Sequence, residues 1–187
     1  MQKNIGSVMG LYPTPVTVVG TVVEGRVNWL PVAHVGIVEH HTFMISVDKA
    51  HEFSNKGIQQ NKTVSVSLVN QKMLQAADYC GIVKGADTDK SDMFKYHFGR
   101  VQGAPIIDEA PLSMECEILD MVKVGNFNNY IVKPVNTYVQ EEYLNERGKV
   151  DYEKMSPVLF EFQNANYLST GSVIGKCWNI GRDYKKN

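Results

Sequence analysis

Strand-forming runs occupy both halves of this chain without a regular alternation of strand and helix, and that distribution most restricts the fold. Pro15 to Glu24 reads Pro-Val-Thr-Val-Val-Gly-Thr-Val-Val-Glu, and Glu24-Gly25-Arg26 turns it into Val27-Asn28-Trp29-Leu30, which predicts a hairpin. Thr42 to Val47 is a further strand. Thr63 to Val69 sets Val64, Val66 and Leu68 against Ser65 and Ser67, the period of a half-buried strand. From Leu112 onward the pattern predicts long strands over Leu112 to Val124, Asn129 to Glu142 and Pro157 to Leu168. Between them lie a turn-rich connector, Gly125-Asn126-Phe127-Asn128, and a polar surface loop over Asn145 to Met155. Helical patterns cover Ala50 to Asn61 and Lys72 to Ile82, with one more turn expected within Asp92 to Phe98.

These elements predict a mainly β, antiparallel barrel with a few flanking helices, and they argue against a doubly wound sheet. No Gly-x-Gly-x-x-Gly opens a helix after a strand, so a nicotinamide would not be held by a dinucleotide fingerprint. A small closed barrel fills its interior with its own side chains, which sends ligands to the outside or between subunits. At 187 residues the expectation is a single domain spanning 1–187.

With a formal net charge of −1, the chain lacks the basic surplus of a nucleic-acid binder. No apolar run reaches the ~20 residues of a membrane span, and the amino-terminal stretch has no apolar core of signal-peptide length. The expectation is therefore a cytoplasmic protein with neither nucleic-acid nor membrane partners. Cys80, Cys116 and Cys177 are too far apart for a Cys-x-x-Cys pair and read as free thiols in packed positions. His40 and His41 point to opposite faces of a strand, and no helical His-x-x-x-His pair joins His51 or His97, so no metal site is expected.

Asn70 to Phe94 carries the densest chemistry. A helical run ends at Asp78-Tyr79-Cys80-Gly81, and a small-residue loop then brings Asp87, Asp89 and Lys90 together. Gly81 and Gly85 permit close backbone approach and Lys90 supplies a point charge, so the loop could hold an anion. A helix cap followed by a solvated loop accounts for the same residues. Asp87 and Asp89 beside Lys90 read as loop-ordering groups rather than a catalytic carboxylate pair.

Four segments together resemble the flavin reductase-like, FMN-binding split-barrel family that includes the flavoredoxins. They are Asn28-Trp29-Leu30-Pro31-Val32-Ala33-His34; Ser46-Val47-Asp48-Lys49-Ala50-His51-Glu52-Phe53-Ser54-Asn55; Asp78-Tyr79-Cys80-Gly81 with Lys84-Gly85-Ala86-Asp87-Thr88-Asp89-Lys90; and Ala104-Pro105-Ile106-Ile107 through Met114-Glu115-Cys116. The resemblance runs from the Pro13-Thr14-Pro15 opening to Lys176. It implies an antiparallel split β-barrel, noncovalent FMN and a homodimer. It also implies hydride transfer from NAD(P)H as co-substrate, with free flavin, a redox partner protein or a small acceptor taking the electrons. The alternative is a flavoredoxin-type electron carrier that does not react directly with NAD(P)H.

The same resemblance implies the cofactor-binding residues Asn28, Trp29, Ala33, His34, Ser46, Lys49, His51, Ser54, Asn55, Tyr79, Gly81, Asp87 and Lys90. A phosphate needs hydroxyl and backbone donors at a helix start together with cations, and Ser54, Asn55, Lys49, His51 and Lys90 are of those types. An isoalloxazine ring needs polar partners on one edge and an apolar wall on the other, roles for Asn28 and for Trp29 or Tyr79. Ser54 equally fits a helix cap, and Trp29 a core or interface aromatic. No protein side chain is required as nucleophile or base. His34 stands where relatives often have Ser, and Lys84 and Ala86 where Ser and Arg are common. His34 is thus either a modulator beside the flavin or an ordinary strand histidine, and the loop departures leave room for another ligand.

Overall fold

The computed structural model describes residues 1–182, 184 and 185. Its strands are β1 (Thr14–Pro15), β2 (Thr17–Val23), β3 (Arg26–Val32), β4 (Val35–Glu39), β5 (Thr42–Asp48), β6 (Thr63–Leu68), β7 (Tyr96–Phe98), β8 (Pro105–Ile107), β9 (Leu112–Val124), β10 (Phe127–Val139), β11 (Val158–Glu161) and β12 (Asn166–Ser169). The helices are α1 (Glu52–Asn61), α2 (Leu74–Ile82) and α3 (Tyr152–Met155). Seven strands form one antiparallel sheet in the order β3-β2-β6-β9-β10-β5-β4. Its terminal strands β3 and β4 are consecutive in the chain, so the passage from Val32 to Val35 bends the two ends of the sheet toward each other. At that seam the Ser46 amide donates to the His34 carbonyl at 2.9 Å. The result is a mainly β barrel, as the patterning predicted, and a split one, as the resemblance implied.

Period-2 alternation sorts the side chains into two cores. Val19, Leu30, Val32, Ile45, Val47, Val64, Val66, Cys116, Tyr130 and Val132 fill the inside with Ile58 of α1. On the other face of β2 and β3, Val18, Val27 and Trp29 pack under Met73, Ala77 and Cys80 of the α2 segment, with Phe94 and Ile107. Gly20 makes room for Trp29. A Cβ at Gly20 would collide with the Trp29 ring and the Ser65 hydroxyl, so the buried indole dictates glycine on the neighbouring strand.

Several boundaries differ from the sequence expectation. The predicted Pro157–Leu168 strand is two strands, because Glu161 accepts hydrogen bonds from the Asn164 amide and the Asn166 side chain while Ala165 takes φ +53°, folding the chain back. Of the stretch Asp92–Phe98 expected to hold a turn, the start lies in a turn closed by the Met93 amide on the Lys90 carbonyl at 3.1 Å, whereas Tyr96–Phe98 is β7, drawn into extension by antiparallel pairing with β8. Neither β8 nor the exposed edge strand β4 was anticipated, since both are short and carry little alternation. The 125–128 connector shrinks to Gly125-Asn126, with Phe127 and Asn128 already in β10. Asp151 caps α3 by accepting from the Lys154 amide at 3.0 Å, adding a helical turn to the predicted 145–155 loop. All three cysteines are free. Burial pushes the Cys80 and Cys116 thiols up to about 11 and about 12, whereas Cys177 is exposed rather than packed. Among the described residues no helix is long and apolar enough to cross a membrane.

Gly20→Ala is expected to destabilise the fold by about 1–3 kcal/mol, the range for overpacking a filled core. Urea unfolding followed by tryptophan fluorescence measures it, and an unchanged midpoint would contradict the packing assigned to Trp29.

Candidate functional site

The seam between β3 and β4 holds a pocket. Leu30, Pro31, Val32, Ala33 and His34 line it together with Ser46, Val47 and Asp48 of β5, His51 and Phe127, and its volume is about 210 Å³. Its chemistry is divided. Leu30, Pro31, Val32, Ala33 and Phe127 give apolar surface, whereas His34, Ser46, Asp48 and His51 supply polar groups. Such a pocket suits a flat ligand with one polar edge.

Each polar group is held by the fold. Ser46 Oγ donates to Asn129 Oδ1 at 2.7 Å across the β5–β10 pairing. Asp48 accepts from the Ala50 amide at 2.9 Å through Oδ1, and its carbonyl accepts from the His51 amide at 3.0 Å, which turns the chain into α1. The amides of the first turn of α1 have no carbonyl four residues back within the helix, so its start carries donors and partial positive charge. Burial holds the His51 imidazole below its ordinary pKa; Asp48 opposes this and the Lys90 charge reinforces it. His34 lies half-buried against Phe127, ring centroids 5.4 Å apart and edge-on, with Nε2 at 3.0 Å from the Tyr12 hydroxyl.

Of the residues named from sequence, Ala33, His34, Ser46 and His51 meet in this pocket. Ser54 and Asn55 do not line it. They are buried on the inward face of α1, where Ser54 Oγ accepts from Asn28 Nδ2 at 2.8 Å. Asn55 Nδ2 donates to the carbonyls of Asp48 and His51, while its Oδ1 accepts from Tyr130 and Asn128. These bonds fix the start of the helix rather than presenting side chains to a ligand. Asn28 is correspondingly interior. Its Oδ1 is buried beside Gly85, where a Cβ would collide with it, and has no hydrogen-bond partner among the described residues.

Three of the named residues do not line this pocket. Trp29 is fully buried, edge-on to Phe94 at 5.7 Å, because its position in β3 points it away from the barrel interior toward α2; it walls no pocket. Lys90 is 3% exposed, and its ammonium donates to the Cys80 carbonyl at 2.6 Å and the Trp29 carbonyl at 3.3 Å, so it is turned into the protein and not toward an anion. Lys49 Nζ donates to the Gly125 carbonyl at 2.6 Å, at the β9–β10 turn. Tyr79 and Asp87 are exposed outside the pocket lining, and Gly81 packs α2 against Pro31, where a Cβ would lie 2.9 Å from Pro31 Cγ. Sequence reasoning did not assign Pro31, Asp48 or Phe127 as site residues. Pro31 and Asp48 stood inside the quoted motifs, whereas Phe127 sat in a stretch read as a turn.

The chain belongs to the flavin reductase-like domain family, matched over residues 9–168. Its fold and sequence are similar to flavoredoxin from Methanosarcina acetivorans, at 29% identity and TM-score 0.91, covering 97% of this chain and 98% of that one. Flavoredoxin of Desulfovibrio vulgaris (Miyazaki F) is similar at 26% identity and TM-score 0.90, covering 97% and 100%. A putative flavin reductase with a split barrel domain from Shewanella frigidimarina NCIMB 400 shares the fold at 15% identity and TM-score 0.78, covering 88% and 85%. Comparison with curated proteins gives no match.

Lys90→Ala leaves the buried Cys80 and Trp29 carbonyls without this donor and is expected to cost about 1–3 kcal/mol of stability, measured by urea unfolding. A variant as stable as the parent would remove Lys90 from its clamping role. His51 gives a pH prediction. Its folded pKa lies below the unfolded value of about 6.5, so its contribution to stability is present above that pH and is lost as pH falls through the folded value. His51→Gln should therefore flatten the acid limb of the stability profile below about pH 6.5, read from thermal midpoints in a pH series.

Proposed function

We propose that this protein binds FMN noncovalently in the His34–Ser46–His51 pocket and passes reducing equivalents from NAD(P)H through it. One observation carries the reading: a member of the flavin reductase-like family has its divided polar and apolar pocket at the seam of its barrel, beside a helix start. The residues present fit the cofactor. The Leu30–Ala33 backbone and Phe127 offer a flat apolar surface to the ring. Ser46 offers a hydroxyl to its polar edge. His51 and the first amides of α1 offer donors to the phosphate, which carries close to two negative charges. When bound, FMN supplies the redox chemistry, taking a hydride and passing electrons on. The protein's part is to bind, orient and exclude water.

A pocket of about 210 Å³ is smaller than the ~300–1,000 Å³ typical of sites that enclose a ligand, so one chain supplies only part of the wall. A homodimer completes it in this proposal. The exposed apolar side chains of the two terminal arms, Val8, Met9 and Leu11 at one end and Val173, Ile174 and Trp178 at the other, support that arrangement. A second reading, an electron carrier charged by a partner protein, is favoured by the likeness to two structures named flavoredoxin.

Purified protein is expected to show flavin absorption or to take up added FMN, and to run as a dimer by light scattering. His51→Ala should weaken FMN about tenfold and riboflavin much less, since a charge-assisted phosphate contact is worth roughly 1.5 kcal/mol. Bleaching on anaerobic mixing with NADH or NADPH that saturates with nicotinamide supports the reductase. Slow, unsaturating bleaching with normal response to chemical reductants favours the carrier. Protein that neither perturbs the FMN spectrum nor gains thermal stability from it would overturn the proposal.

A further inference from the structure

We propose that the cavity at the far end of α1 is a second binding site, for an aromatic anion of nucleotide size whose flat ring stacks on Phe98 and whose anionic group pairs with Arg100. It stands independently of the flavin reading, since this cavity shares no lining residue with the seam pocket. Helix α1 separates the two: His51, just before its first residue, lines the seam, and Asn61, its last, lines the second cavity. The ten residues of the helix set them roughly 15 Å apart. The volume here is about 850 Å³, against about 210 Å³ at the seam, and lies within the ~300–1,000 Å³ of sites that hold whole ligands. A lone inorganic anion would leave most of that space to water.

The wall is the stretch from Phe98 to Gly103, joined by Val22, Asn61 and Thr63. It is a surface stretch fixed from behind. Glu115 of β9, fully buried, accepts from the Val101 amide at 3.0 Å, from Asn136 Nδ2 at 2.8 Å and from the Tyr138 hydroxyl at 3.0 Å. Gly99 lets the chain come that close, because a Cβ there would lie 2.5 Å from Glu115 Oε1 and 2.7 Å from the Tyr138 hydroxyl oxygen. At the other end Thr63 Oγ1 donates to the Gln102 carbonyl at 2.7 Å, and Gly103 takes φ +81° where a Cβ would meet Thr63 and Asn61. A buried carboxylate is tolerated only when its hydrogen bonds are made, so Glu115 holds the loop to one shape. A wall set in advance lowers the ordering cost of binding.

The side chains this wall presents define the ligand. Phe98 is 50% exposed, with Tyr96 edge-on to it at 5.8 Å. Arg100 is exposed, and among the described residues its guanidinium has no ion-pair partner. No acidic residue lines the cavity: Glu115 is engaged behind the loop, and Glu117, opposite Thr63 in the β6–β9 pairing, lies outside the lining. A guanidinium matches the planar geometry of carboxylate and phosphate, and an exposed phenyl ring stacks on a flat ring. Between them the Gln102 amide, unbonded through its side chain among the described residues, can both donate to and accept from the edge of a heteroaromatic ring. Ring, polar ring edge and anion together describe a nucleotide monophosphate.

The test titrates the full-length protein with AMP, with adenosine, which lacks the charge, and with ribose 5-phosphate, which lacks the ring, followed by proton–nitrogen correlation NMR. AMP should shift the amides of Arg100 to Gly103 saturably, with a Kd at or below about 1 mM, and each fragment should bind at least about tenfold more weakly. Arg100→Gln, at an exposed side chain, should keep the parent thermal midpoint and weaken AMP about tenfold while leaving adenosine unchanged. Phe98→Leu should weaken AMP and adenosine and spare ribose 5-phosphate. His51→Ala, at the seam, should leave AMP affinity at the loop unchanged. No saturable shift up to about 10 mM overturns the proposal. So do shifts confined to Ala33, His34 and Ser46 to His51, which place AMP at the seam, and an Arg100→Gln variant that binds AMP as the parent does. Ribose 5-phosphate as tight as AMP reduces the site to a nonspecific anion contact and also overturns it. Because every readout is taken at the loop, a protein that binds no FMN overturns the flavin reading alone.

Discussion

A sheet that bends until its ends meet must satisfy the backbone groups along those ends, or leave them as sites for pairing with other chains. Here the same short passage, Ala33-His34, ends β3 and begins β4, and its His34 carbonyl takes the Ser46 amide of β5. That contact joins the β3 end of the sheet to β5, near the other end, and it places Pro31, Ala33 and His34 opposite Ser46 and Asp48. Because the barrel is split rather than sealed, the seam remains wide enough for a pocket while its backbone stays partly paired. The position of the candidate site is therefore a property of the topology before it is a property of any side chain.

Helix α1 is aimed by an equally local set of bonds. Asn55 bridges the carbonyls of Asp48 and His51 on one side and the Asn128 and Tyr130 side chains of β10 on the other. Each of these groups is buried or partly buried, and a buried amide left unpaired costs about as much as a lost hydrogen bond. The helix start thus has one favourable seat, next to the pocket floor, and His51 is carried there by the turn that precedes it.

Much of the barrel was legible because alternation is a direct image of a two-faced strand. Val64, Val66 and Ser65 announce β6, and the long runs after Leu112 announce the β9–β10 hairpin. Strands β4, β7 and β8 were not, since pairing rather than composition extends them. At the candidate site, the quoted motifs contain segments that line the pocket but do not tell which of their residues face it. In β3 the side chains alternate between the barrel interior and the α2 side, and one residue of difference sends Trp29 into the second core while Leu30 reaches the pocket. A linear motif does not encode that parity without the register, which is set by β2 and fixed by Gly20 opposite Trp29.

The Asp-Tyr-Cys-Gly segment and the Asp87–Lys90 loop gain a physical account once Lys90 is seen to point inward. Its ammonium joins the carbonyl of Cys80, near the end of α2, to the carbonyl of Trp29 in β3, so helix and strand are tied through one buried charge. Burial lowers the Lys90 pKa, which means the folded state bears a desolvation cost at neutral pH that the two carbonyls offset only in part. Gly81, one residue beyond Cys80, lies against Pro31, and Pro31 is a wall of the pocket. The clamp is thus linked to the site by packing: Lys90 ties α2 to β3, α2 lies against Pro31, and Pro31 lines the pocket. A motif that reads as an anion loop in one dimension works in three as the brace of the apolar wall.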